Sequence, residues 1–315
     1  MWLIFICYLL MASTFTFAKT AIFYMKPIYF IALRMIIAGS LLLGYLHFFR
    51  KHTLVAWFKD LKLFLAIIFF HIYAAYIFEF LALQYIASYK VCLLYSLTPF
   101  ITALLCYLLF QQKLTMKKWI ALILGFLSMF PVFISGKQGV FTIISSADLI
   151  LLFAIACASY GWIIMKELVV NKEYSPVLVN GIGMFFGGVL ALGTALFFEG
   201  TQPFIINESP SDLVGKLLMP YWGSVMASMA MAFICMFALI IIANILGYNL
   251  YGYLLRFYSA TFLAFAGLIT PFFASIFGWL FLSEKITINF LLALSLTTVS
   301  LYLFYQEELT GHKNK

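Results

Sequence analysis

The chain has 315 residues, 65% of them hydrophobic and only 10% charged, with a mean hydropathy of +1.08. A water-soluble core cannot bury that share of apolar side chains, so most of the chain is solvated by lipid. The formal net charge of +8 comes with no basic run on a soluble module, which excludes a nucleic-acid partner and leaves the charge as a topology signal.

Ten apolar runs follow in order: Trp2–Phe17, Ile28–Phe48, Leu61–Leu83, Tyr89–Phe110, Trp119–Ile134, Leu149–Met165, Val177–Phe198, Val225–Gly247, Ala260–Leu282 and Ile288–Tyr305. Most approach the ~20 residues a helix needs to cross ~30 Å of hydrocarbon. Continuous runs of this kind exclude a transmembrane barrel, whose strands are short and alternating. The first run has no basic leader and ends at Ala18-Lys19-Thr20, so it is expected to stay as a helix. The expected fold class is an all-α polytopic membrane protein. Between the seventh and eighth runs, Glu199–Trp222 carries Pro203, Asn207, Pro210, Asp212 and Pro220, with a short interfacial helix expected over 211–219, capped by Ser211-Asp212.

The pattern occurs twice. Leu97-Thr98-Pro99-Phe100 and Ile269-Thr270-Pro271-Phe272 stand 172 residues apart, and Gln112-Lys113-Leu114-Thr115 and Glu284-Lys285-Ile286-Thr287 keep the same offset. Upstream, Pro27, Met35, Gly39 and Gly44 line up with Pro176, Met184, Gly188 and Gly193 at an offset of 149. The chain therefore divides into a first five-helix repeat over 1–138, a second over 146–306, and a short cytoplasmic tail over 307–315. An odd number of helices per repeat inserts the second copy upside down. Two inverted five-helix repeats around a central cavity are the usual build of a secondary transporter. Lys and Arg in the loops divide twelve to six in favour of the side holding both termini, which places both termini in the cytoplasm. Thr98-Pro99 and Thr270-Pro271 are expected to kink their helices, making Pro99 and Pro271 candidate gating hinges.

Ionisable groups inside the membrane are costly and mark function. Arg34 lies about two turns into the second run and Glu79 about one turn from the end of the third, at similar depth. Arg34 is the candidate for a substrate carboxylate, and Glu79 for an ammonium group or a coupling proton; the alternative is a structural pair between the two. Lys19 and Lys90 are expected to snorkel, and His71 to be an interior hydrogen-bonded histidine. Tyr73 and Tyr76 share the helix of Glu79, and Tyr95 precedes Pro99 by four residues; with Asn180 they are candidate cavity-lining residues for a flat ring or soft cation. Asn244 and Asn249 line the path or bridge helices. The five cysteines are odd in number and without ligand spacing, so they read as packing residues. No phosphate-binding loop, acidic metal pair or nucleophile triad is present in the sequence, so no enzyme, cofactor or metal is expected.

Ala82-Leu83-Gln84-Tyr85, Leu94-Tyr95-Ser96-Leu97-Thr98-Pro99-Phe100, Leu108-Leu109 and Lys113-Leu114-Thr115 followed by Trp119 closely resemble the EamA-type repeat of the drug/metabolite transporter superfamily. The resemblance covers essentially the whole chain; Gln112 departs from a Glu common in that family. It implies alternating access between two inverted repeats, transport of small metabolites by exchange or an ion gradient, and a bacterial cytoplasmic membrane. Ser13-Thr14-Phe15, Lys19, Pro27, Leu33-Arg34-Met35 and Ala38-Gly39 look most similar to S-adenosylmethionine/S-adenosylhomocysteine exchangers. The implied partners are the bilayer and a zwitterionic, adenine-containing small molecule, with the protein a monomer or weak dimer. The alternative is a proton-coupled exporter of aromatic amino acids or drugs.

Overall fold

The computed structural model describes residues 2–22, 24–49, 56–85, 94–95, 97–112, 114–128, 145–205, 226, 229–270, 272–273 and 288–313. The described residues are helical almost throughout: α1 (Trp2–Ile22), α2 (Pro27–Phe49), α3 (Trp57–Leu83), α4 (Thr98–Phe110), α5 (Met116–Leu127), α6 (Ser146–Asn171), α7 (Pro176–Phe198), α8 (Met229–Leu254), α9 (Ala260–Ile269) and α10 (Ile288–Lys313). Five of them, α2, α3, α6, α7 and α8, are long and apolar enough to cross a membrane. Their outer faces are apolar too: Leu41, Tyr45, Phe186, Leu190, Leu196 and Phe237 are all exposed, as lipid-facing side chains must be. The predicted features at Lys90, Cys92, Pro271, 211–219 and 284–287 lie outside the described residues, as does the side chain of Lys19.

Local sequence explains where the helices begin. Ser145 and Asp148 form a reciprocal capping box at the start of α6. Ser175, Thr115 and Ser259 each accept from a backbone N–H three residues on, opening α7, α5 and α9. Pro176 follows its cap at a position where the missing N–H costs nothing. Pro99 is of this kind as well. Its expected place was the interior of a helix; α4 begins at Thr98, which puts Pro99 in its first turn, with Leu94 and Tyr95 helical just ahead and Ser96 outside the described residues. On the α9 side the turn Gly267–Ile269, just ahead of Pro271, tightens to a 3-10 helix.

The centre of the molecule is the contact between α2 and α7. A Cβ placed on Gly39 would lie 2.4 Å from the backbone nitrogen of Phe185, and one on Gly188 would lie 2.8 Å from that of Ile36. Residue 36 therefore faces 188 while 39 faces 185, so the helices run antiparallel. At the offset of 149, each of these contacts maps onto the other. The N-terminus of α2 accordingly meets the C-terminus of α7: the Glu199 carboxylate accepts from the N–H groups of Ile28 and Tyr29, each at 3.0 Å. Lys26 donates to the Glu199 carbonyl at 2.6 Å, and Met25 pairs with Phe204 in an isolated antiparallel bridge. At the opposite end Asp60 binds Lys172 at 2.9 Å and accepts from the Tyr174 hydroxyl at 3.0 Å.

The third and eighth helices loosen at matching places. Ile67–Ala74 in α3 and Ile240–Gly247 in α8 are both eight-residue π-helical segments. The α3 segment packs against α7, where Ile72 fills the space left by Gly187. The α8 segment lies on α2, with Asn244 Nδ2 reaching Met35 Sδ at 3.2 Å.

If the Gly39–Gly188 crossing holds the bundle together, a single methyl there is expensive, because the obstructing atoms are backbone. Gly39→Ala and Gly188→Ala are expected to lower stability in detergent by roughly 1–3 kcal/mol. Gly44→Ala and Gly193→Ala, where nothing lies within 4 Å, are expected to be neutral or stabilising by up to about 1 kcal/mol. Thermal unfolding of the four variants checks this; equal midpoints would remove the crossing from its central role.

Candidate functional site

Arg34 is 3% exposed, in the wall between the two halves of the chain. Its guanidinium carbon sits 5.0 Å from the ring centre of Tyr76 and 5.8 Å from that of Phe30, a cation–π floor for the charge. Nε and Nη2 have no hydrogen-bond partner. These two nitrogens form one edge of the guanidinium, the edge that receives both oxygens of a carboxylate. No ion pair joins Arg34 to Glu79, although the two charges are close enough to influence each other. Glu79 is half-buried and hydrogen-bonds with the Tyr95 hydroxyl instead.

Tyr76 continues the site inward. Its hydroxyl shares a hydrogen bond with that of Tyr248 on α8. Tyr248 is 5.1 Å from Trp162 on α6, and Trp162 lies 3.8 Å from Tyr251, ring centre to ring centre. Tyr8 of α1 meets Tyr251 edge-on and donates to the carbonyl of Leu263. An aromatic column thus runs from Arg34 through contributions of α3, α8, α6 and α1.

Polar atoms without partners occur along the interior. They include Nε and Nη2 of Arg34 on α2, both ring nitrogens of His71 on α3, Asn180 Oδ1 on α7 and Asn244 Oδ1 on α8, in residues each at most 3% exposed. Native interiors satisfy nearly all such groups, so unpartnered atoms on four central helices make this interior the candidate site. Asn244 spends its amide hydrogens on the sulfurs of Met35 and Met184, which stand at matching places in the two halves.

The structure therefore brings Arg34, Tyr76, Glu79 and Tyr95 together. The Tyr73 hydroxyl is 2.8 Å from Thr194 Oγ1 on α7. Asn180 donates to Asn249 at 3.0 Å, and lies about ten residues, or ~15 Å of helix, from the level of Arg34. Trp162 and Tyr248 were not singled out from the sequence. For Tyr248 a signal existed, since it stands 172 residues after Tyr76, the spacing of the repeated prolines. Trp162 carries no such mark. His71 was expected to be hydrogen-bonded, and neither ring nitrogen has a well-formed bond. Among the described residues, no three His, Cys, Asp or Glu side chains gather as a metal site requires, and Cys7, Cys106, Cys157 and Cys235 are buried in the apolar interior.

Residues 1–134 and again 145–306 match the EamA-like transporter family. The chain belongs to that family. This transporter is 30% identical over 312 residues to the S-adenosylmethionine/S-adenosylhomocysteine transporter of Chlamydia muridarum, covering 97% of this chain and 91% of the relative. The protein of the same description from Chlamydia trachomatis serovar L2 is 29% identical over 97% of this chain and 89% of its own. A crystal structure at 14% identity superposes with a TM-score of 0.74 over 98% of this chain and 96% of that one, a likeness of fold alone.

A buried guanidinium with two unpartnered nitrogens costs stability. Arg34→Met keeps the volume and removes the charge, so the ligand-free transporter should become more stable, by about 1–4 kcal/mol. A thermal midpoint in detergent that falls would make Arg34 a structural residue.

Proposed function

We propose that this transporter takes up S-adenosylmethionine in exchange for S-adenosylhomocysteine by alternating access. The unused Nε–Nη2 edge of buried Arg34 carries the proposal, because it fits the carboxylate of an amino-acid end. Glu79, held by Tyr95 and unpaired with Arg34, takes the ammonium group. Tyr76 and Tyr248 lie between the charged end and the interior, and aromatic faces accept both a sulfonium cation and a neutral thioether. An exchanger of these two molecules needs that tolerance. The names of the relatives support the same substrates.

Ten crossing helices in two inverted repeats form the framework of this proposal. The match of both halves to one family and the antiparallel, mutually exchanged contacts at Gly39 and Gly188 support it. Lys117, Lys166, Lys172 and Arg256 lie at the Asp60 end of the bundle, which supports a cytoplasmic position for that end and for both termini in a bacterial inner membrane.

Counterflow tests the exchange. Proteoliposomes preloaded with S-adenosylhomocysteine should take up labelled S-adenosylmethionine faster than empty ones, and uptake indifferent to the preload sinks the proposal. Arg34→Lys, which keeps the charge but loses the planar fork, should reduce uptake about tenfold or more. The Glu79–Tyr95 pair favours a second reading, export of aromatic amino acids or drugs coupled to a proton on Glu79. That reading requires flux driven by imposed pH steps and abolished in Glu79→Gln; flux unaffected by both rules it out.

A further inference from the structure

We infer that His71, Trp162 and Tyr248 form a separate subsite for the flat nitrogen heterocycle of a nucleoside. The inference rests on the proposed substrate for its ligand and on independent geometry for its place. His71 is 1% exposed, at the fifth position of the α3 π segment, where the extra residue of the π turn resets which side chains face the core. Trp162 lies 4.3 Å and Tyr248 5.5 Å from the imidazole centre, and the two are 5.1 Å from each other, so the three rings converge.

An interior histidine kept only for packing has its nitrogens bonded. Here Nδ1 is turned onto the α6 backbone beside Ala158 and Gly161 without a well-formed bond, and Nε2 has none. Gly161 is what admits the ring, since a Cβ there would stand 2.4 Å from Nδ1. With a proton on Nδ1 toward the Ala158 carbonyl, Nε2 is a buried acceptor beside two aromatic rings. An amino-substituted purine supplies what that position lacks, an exocyclic N–H for Nε2, and brings a π face that can exchange for one of the ring contacts Trp162 and Tyr248 now make with each other.

Spacing joins the subsite to the carboxylate site. From the Arg34 guanidinium the steps are 5.0 Å to the Tyr76 ring, 6.5 Å to Tyr248 and 5.1 Å to Trp162. A molecule with an amino-acid group at one end and a purine at the other spans a distance of that order, with its sulfur beside the tyrosines.

Binding of labelled adenosine, which has the ring and lacks the amino-acid end, tests the subsite on the purified full-length protein. Wild type should bind it saturably, and His71→Leu and Trp162→Leu should each weaken binding about tenfold. His71→Gln, which restores an acceptor, should recover part of the loss, a result that a purely structural histidine would not give. No adenosine binding to wild type, or equal binding by wild type and by folded His71→Leu and Trp162→Leu, overturns the inference. The two failures separate cleanly: exchange in proteoliposomes with adenosine binding insensitive to His71 and Trp162 removes the subsite and leaves the proposed function. Adenosine binding that depends on them without exchange does the reverse.

Discussion

Inside a bilayer, water does not drive helices together, so association depends on how closely backbones can approach. At Gly39 and Gly188 the approach between α2 and α7 leaves no room for a Cβ, and the obstructing atoms are main chain. Everything in the interior is positioned from this contact. It brings Met35 and Met184 to one amide, Asn244, and sets the N-terminus of α2 where Glu199 can cap it. It also fixes the wall from which Arg34 projects, with α3 and α8 packed on the partner of their own half's second helix rather than on it alone.

Given that frame, the interior holds more polarity than it satisfies. Protein cores normally pair every buried donor and acceptor, because an orphan costs about 1–3 kcal/mol and a charge costs more. Arg34, His71, Asn180 and Asn244 all break that rule, on four different helices. Packing alone would have selected apolar side chains at these positions, as at neighbouring Ile72 and Met184. A carrier has a reason to tolerate the cost: buried polar atoms without protein partners are those that a substrate can satisfy.

The duplication was legible because Thr98-Pro99 and Thr270-Pro271 are rare polar punctuation in apolar runs, and because Gly39 and Gly188 hold equivalent places in the two halves. Arg34 and Glu79 stood out for a similar physical reason, since charge in hydrocarbon is scarce. The aromatic residues did not stand out. With 36 Phe, 19 Tyr and 6 Trp, most serve lipid contact, and no sequence feature separates Trp162 from the others or sends Tyr73 to Thr194. Tyr76 could be followed to Tyr248 only by applying the repeat spacing to single residues. The π segments were invisible as well. A register change of one residue shows up as a phase shift in an amphipathic pattern, and Ile67–Ala74 and Ile240–Gly247 are apolar almost all round. A continuous apolar run likewise conceals that α4 begins at Thr98.

The matched π segments also explain why the aromatic column crosses between the two halves. A π turn inserts one residue, and each residue added to a helix rotates all that follows by about 100°. In α3 the residues that follow include Tyr76 and Glu79; in α8 they include Tyr248 and Tyr251. Placing the same insertion in both helices turns both tyrosines the same way relative to their own halves. Because α2 and α7 run antiparallel, the same turn in each half directs the tyrosines toward one another, and their hydroxyls meet. His71 and Asn244 occupy the fifth position of their respective segments, so the device that joins the tyrosines also brings one unsatisfied polar side chain into the interior from each half. In one half that group is an imidazole among aromatic rings, in the other an amide between two thioethers. The backbone device is repeated while the chemistry at its fifth position is not.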